Sequence, residues 1–134
     1  MHVDGHCLCG AVTYEATIDP DRCAICHCAD CQVNSGTAFG FVVHVQDRQF
    51  HLRSGALKVF VKTAENGRVR HLSFCPDCGT RIHAHTPDQP DAFFGLRVGS
   101  IRQRHLLRPK RQVWCQSALP WVFELPTITK MVAQ

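Results

Sequence analysis

Nine cysteines carry most of the chemistry available to this 134-residue chain. Seven fall into clusters: Cys7-Leu8-Cys9-Gly10, Cys26-His27-Cys28 with Cys31 three residues later, and Cys75-Pro76-Asp77-Cys78-Gly79. Thiolates two or three residues apart can close on one soft metal ion if the chain turns sharply between them. The CPDCG stretch suits such a turn. Pro76 presets φ, and Gly79 can take the positive φ that aims backbone N–H groups at sulfur. CLCG offers a second thiolate pair with its own glycine. Cys7, Cys9, Cys75 and Cys78 together supply four soft ligands, enough for a closed tetrahedral zinc site. Such a site would staple the N-terminal strand to a hairpin far along the chain, a large gain for a small domain.

With those four committed, Cys26, Cys28 and Cys31 remain in CHCADC. Three thiolates on zinc leave a fourth position for water or a substrate atom, the mark of a catalytic rather than a structural site. Cys23 complicates the count. It lies three residues before Cys26 and could close a second, inert tetrathiolate site, and spacing alone admits both arrangements. Other uses of the sulfur fit less well. An odd cysteine count forbids complete internal disulfide pairing. A thioredoxin-type CPDC pair needs a βαβ setting, which the strands around Cys75 do not offer. The CxCxxC spacing matches neither common ferredoxin pattern.

The elements that must position these groups are strands. AVTYEAT, residues 11–17, alternates Val12, Tyr14 and Ala16 against Thr13, Glu15 and Thr17. AFGFVVHV at 38–45, RIHAH at 81–85 and AFFGLRV at 92–98 are β-branched or aromatic and read as further strands. ALKVFVKTAENGRVRHLSF reads as a hairpin, with Leu57, Val59 and Val61 on one face and Asn66-Gly67 at the turn. TPDQPD at 86–91 reads as a loop. CADCQVNSG predicts one short helical turn ended by Gly36. The apolar tail QVWCQSALPWVFEL is broken by Pro120 and is expected to pack back on the sheet. The expectation is one all-β domain spanning residues 1–134, mainly antiparallel with short helical turns.

Composition narrows the partners. The chain has no apolar run of the roughly 20 residues a membrane helix needs, and its first residues lack the pattern of a signal peptide. The expected setting is a reducing cytoplasm, with no membrane partner. The formal charge of +4 counts every thiol as neutral. A four-thiolate zinc carries −2 and a three-thiolate zinc −1, so two loaded sites bring the net charge to about +1. This removes most of the case for a nucleic-acid partner.

At these residues the chain resembles the glutathione-dependent formaldehyde-activating enzyme (GFA) family, which includes the centromere protein V group. The resemblance runs from GHCLCGAVTYE through CHCADCQVNSGTAF and SFCPDCGTRI to FFGLRVGSI and VWCQSALPW. It implies a zinc-stapled β-tent fold with two zincs. Cys7, Cys9, Cys75 and Cys78 would bind the structural ion, and Cys26, Cys28 and Cys31 the catalytic one. Cys23 would be a buried free thiol and Cys115 a small core residue. The family often carries an acidic residue after GS(I/L), whereas here Arg102 follows Ile101, and RQRHLLRPKR is unusually basic.

The resemblance implies a carbon–sulfur lyase. A thiol such as glutathione, bound at the open three-cysteine zinc, would add to formaldehyde or a related small electrophile and form S-(hydroxymethyl)glutathione. His27, between two ligands, is a candidate acid–base group or a donor supporting the ligands. Gln32, Ser35 and Phe39 could line the site mouth, and Trp121 could cover it. Arg97, Arg102, Arg104, Arg108, Lys110 and Arg111 could meet the carboxylates of glutathione, or simply form a solvated basic face. His83 and His85 share a strand face but lack a third partner for a metal. Two other readings stand beside this one. One is a non-catalytic zinc module closed by Cys23, and the other is a related enzyme with a different thiol or electrophile.

Overall fold

The computed structural model describes residues 1–63, 67–87 and 94–133. Among them, ten strands form two sheets. β1 (His2–His6), β2 (Thr13–Thr17) and β5 (Phe50–Ser54) make the smaller sheet, ordered β1-β2-β5. The larger contains β3 (Cys23–Cys26), β4 (Gly40–Val45), β6 (Lys58–Thr63), β7 (Val69–Phe74), β8 (Arg81–His85), β9 (Phe94–Arg97) and β10 (Arg111–Val113). Its order is β10-β3-β4-β9-β8-β7-β6. All pairings are antiparallel except β10, which runs parallel to β3. One α-helix, α1 (Ala29–Ser35), follows β3. The fold is all-β in class.

Alternation explains which faces are buried. On β2, Tyr14 and Ala16 are buried while Thr13 and Glu15 are half-exposed. They join Val3 and, from the larger sheet, Val43, Ile82, Phe94 and Leu96 in one core cluster. Tyr14 leans on Phe50 at 5.1 Å between ring centroids, and its hydroxyl lies 2.7 Å from Ser100 Oγ. Gly5, opposite Tyr14 in the register, leaves room for that ring, because a Cβ there would collide with it.

The structure differs from the sequence reading in several places. Val59 and Val61 do share a face, but they are 43% and 55% exposed. β6 is the last strand of its sheet, and of the expected trio only Leu57 packs against the core. β6 and β7 pair as the expected hairpin, with Thr63 opposite Val69 and Gly67 at φ +79. Asn66, residues 88–91 of the expected loop, and residues 92 and 93 of the expected strand lie outside the described residues. In the tail, residues 111–113 join the sheet and 3-10 turns follow at 115–117 and 120–127. Cys115 is exposed rather than a core residue, because its turn lies beyond the sheet. Among the described residues, no helix is long and apolar enough to cross a membrane.

Candidate metal centres

Two cysteine clusters form, and all nine cysteines are free thiols. In the first, the sulfurs of Cys7, Cys9, Cys75 and Cys78 lie within 4.8 Å of one another. The loop after β1 and the β7–β8 loop bring them together from different sheets. Both loops use left-handed glycines, Gly10 at φ +81 and Gly79 at φ +73, where a side chain would be strained. Val12 N–H donates to Cys7 Sγ at 3.2 Å, while Gly79 N–H closes the CPDCG turn on Cys75 C=O at 3.0 Å. The Thr80 hydroxyl, 3.1 Å from Cys78 Sγ, and the Thr80 N–H hold that thiol down at about 5.

The second cluster is Cys26, Cys28 and Cys31, again with sulfurs within 4.8 Å. Cys26 ends β3. Cys28 is the N-cap of α1, its sulfur accepting from Cys31 N–H at 3.4 Å. Cys31 sits in the helix's first turn, and Gly36 ends the helix at φ +66. The Cys26 thiol donates to Cys31 and holds it down at about 5. Burial opposes that shift, and the Arg97 charge adds to it. Cys26 is correspondingly raised, first by that same bond and then by burial.

Cys23 belongs to neither cluster among the described residues. Residues three apart on a strand point to opposite faces. Cys23 therefore enters the apolar core, fully buried beside Val43 and Leu96, while Cys26 faces the other way.

Both donor sets fit zinc. A Zn–S length of 2.3 Å in a tetrahedron separates sulfurs by about 3.8 Å. The Cys7–Cys9, Cys9–Cys75 and Cys26–Cys28 separations are 3.4, 3.8 and 3.5 Å. These distances are far too long for disulfides and need only small adjustments to bind one ion.

A clamp from the tail holds the second cluster. His27 N–H donates to Val113 C=O at 3.0 Å. Gln32 Nε2 donates to His27 C=O at 2.7 Å and to Ser117 C=O at 2.9 Å. The His27 ring is fully buried, with Nε2 2.7 Å from Gln112 Oε1 and Phe39 edge-on at 5.8 Å. It lies outside the lining of the cavity beside the thiols. Sequence spacing could not reveal this clamp, because Gln112 is 85 residues from His27.

That cavity measures about 520 Å³ and is bordered by Cys26, Cys28 and Cys31. Val42, Leu72, Ala84, Val113 and Trp114 give it an apolar wall, and Arg70, Arg97 and Arg111 give it positive charge. Trp114, rather than Trp121, lines it, and holds an unusual left-handed φ of 59. Ser35 and Phe39 border a separate opening, while Gln32 serves the clamp. Of the six basic candidates, Arg97 and Arg111 reach the thiol cavity. Arg102 pairs with Asp4 at 2.6 Å and Lys110 with Asp21 at 3.0 Å. Arg104 donates to Ile101 C=O at 3.3 Å, and Arg108 is exposed. Arg70, absent from the six, enters because β7 crosses the cavity, and it also donates to Thr86 Oγ1 at 2.7 Å. His83 and His85 face one side of β8, packed with Phe94.

No curated protein matches the chain. Among solved structures, the crystal structure of a Rhodobacter sphaeroides protein is similar, with a TM-score of 0.63 at 19% identity. The match covers 82% of this chain and 99% of that one, a likeness of fold. The family model for the glutathione-dependent formaldehyde-activating enzyme matches residues 2–117, so the chain belongs to the GFA family.

Proposed function

We propose that residues 1–134 form one zinc-stapled β-tent domain acting as a carbon–sulfur lyase of the GFA type. Cys7, Cys9, Cys75 and Cys78 hold a structural zinc, and Cys26, Cys28 and Cys31 hold a catalytic one. One observation carries the reading: three convergent sulfurs border a cavity, and neither Cys23, on the opposite side of β3, nor Cys115 joins their group. Zinc at that site would supply Lewis acidity and favour the thiolate form of a substrate thiol.

The chain's own residues do the rest. The cavity brings thiol and electrophile together and limits water, which raises their effective concentration. A carbon–sulfur bond forms between the thiol and formaldehyde, and the thiol proton ends on the former carbonyl oxygen. With glutathione the product is S-(hydroxymethyl)glutathione, and the reverse reaction cleaves the same bond. His27 acts as a positioning residue. Its Nε2 is engaged by Gln112 and its backbone by the tail, so it fixes the turn that presents Cys26 and Cys28. The apolar wall favours a second reading, the same chemistry on a thiol other than glutathione.

Zinc counting tests the reading. The protein should carry two zincs, Cys31→Ser one, and Cys23→Ser two. Serine at position 23 would bury a hydroxyl among apolar side chains and cost about 1–3 kcal/mol of stability without losing metal. Loss of one zinc in Cys23→Ser would defeat the open centre. NMR exchange of S-(hydroxymethyl)glutathione, unchanged by added protein, would defeat glutathione as the thiol.

A further inference from the structure

The floor of the thiol cavity is one face of the larger sheet. The alternation that sends Val43 and Leu96 into the core sends their neighbours Val42 and Gly95 the other way, into the cavity. Ala24 pairs with Val42, and Ala84 pairs with both Gly95 and Leu72, so these residues form one patch across β3, β4, β9, β8 and β7. Two alanines and a glycine keep the patch low, where the bulky residues usual in strands would fill it. Its side chains offer no donor or acceptor. The space above them, about 520 Å³, lies in the range of about 300–1,000 Å³ that holds small organic ligands, and formaldehyde needs far less.

Trp114 stands beside this floor in an unfavourable state. Its φ of 59 and ψ of 41 are left-handed, and among the described residues no other non-glycine residue has a positive φ. It is also 59% exposed. The bonds on either side hold it there. Val113 pairs with Cys26 and its C=O accepts from His27 N–H at 3.0 Å, while Trp114 C=O accepts from Ser117 N–H at 3.0 Å. Glycine would meet the backbone requirement with less strain. A large exposed aromatic residue at that position, lining the cavity, points to contact with a ligand. Two of the three arginines at the cavity already serve the protein: Arg70 donates to Thr86 Oγ1 at 2.7 Å, and Arg97 to Cys31.

We infer that the cavity takes a thiol with a flat apolar body, an aryl ring above all, laid on Ala24, Val42, Ala84 and Leu72 and against the Trp114 indole. The inference rests on the proposed function only in placing the ligand's sulfur beside Cys26, Cys28 and Cys31, and it gives a chemical class to the thiol other than glutathione. Trp114 is the specificity-determining residue. An aryl ring covers the floor and the indole together and gains from offset stacking. A peptide-like thiol would give up the hydrogen bonds of its amides to water on a floor that returns none.

The test uses the zinc-loaded full chain and calorimetric titration. 2-Phenylethanethiol and 2-mercaptoethanol share the same carbon arm and have thiols of similar acidity, so they differ in body alone. The aryl thiol should bind about tenfold or more tighter than 2-mercaptoethanol, and tighter than glutathione. In Trp114→Ala with two zincs retained, the gap should shrink by about threefold or more, while 2-mercaptoethanol binds as before. Trp121→Phe leaves Trp114 as the only tryptophan. Its fluorescence should shift on saturation with the aryl thiol. Equal binding of the two small thiols by the unaltered protein overturns the inference. So does tighter binding of glutathione, a gap that survives in Trp114→Ala, or unchanged Trp114 fluorescence at saturation, a readout that needs no change at position 114. The methyl thioether of 2-phenylethanethiol separates the two levels. If it binds as well as the free thiol, the thiol-binding function fails, while Trp114 fluorescence still judges the aryl contact.

Discussion

Acid stability should be governed in part by one histidine outside the two cysteine clusters. His83, in the middle of β8, is 8% exposed, stacked on Phe94 at 4.3 Å between centroids and edge-on to Phe50 at 5.1 Å. Burial, and secondarily the charge of His85, push its pKa down to about 3. In the unfolded chain it titrates near 6.5. Above pH 6.5 both states are neutral at His83 and its contribution is complete. Below 6.5 the unfolded chain takes up a proton that the folded chain refuses, so stability falls as the pH drops, until the folded state also protonates near 3. The gap between 6.5 and about 3, at 1.36 kcal/mol per pH unit, amounts to about 5 kcal/mol in full. At pH 5 the loss relative to pH 8 is about 2 kcal/mol. His83→Phe keeps the ring stacking and removes the titration. Urea unfolding of the zinc-loaded protein and the variant at pH 8 and pH 5 isolates the term, since protonation of metal ligands affects both equally. The variant should lose about 2 kcal/mol less than the unaltered protein. Equal losses would refute the argument and place the acid sensitivity elsewhere.

Three further outcomes are expected. Cys75→Ser should lose one zinc and most of the folded signal in circular dichroism, because its cluster joins the two sheets, whereas Cys31→Ser should lose one zinc and remain folded. Gln112→Ala removes the partner of the buried His27 ring. It should cost about 1 kcal/mol in urea unfolding and weaken the second zinc roughly tenfold in competition with a chelator. Gly40→Ala sets a Cβ against Arg97 Nη1 and the Cys31 side chain, and should weaken the second zinc at least tenfold in competition with a chelator while leaving the first unchanged.

The cysteine clusters were legible because their information is local. Two cysteines, a proline and a glycine within five residues describe a turn that can face an ion, and Gly79 takes the positive φ that reading requires. The strands around Tyr14 and Ile82 were legible for a similar reason: period-two alternation is a property of a short segment. The Cys23 question was also nearly local. Once residues 23–26 are a strand, parity alone sends Cys23 and Cys26 to opposite faces. What stayed hidden was that CAIC is a strand, since its composition does not distinguish it from the helix start that follows.

The rest depended on which segments become neighbours. The sequence alone determined an all-β chain, two thiol groupings and a short helix ended by Gly36. It could not determine that β6 would be an edge, because edge or centre is a property of the whole sheet order. Nor could it choose among six basic residues in the second half of the chain. Arg97 enters the cavity because β9 pairs with β4, and Trp114 lines it because β10 pairs with β3; Arg102 and Trp121, equally plausible by type, end elsewhere. Thiol spacing along the chain specifies what can bind. Long-range strand pairing decides what stands beside it, and with that the class of ligand the site can take.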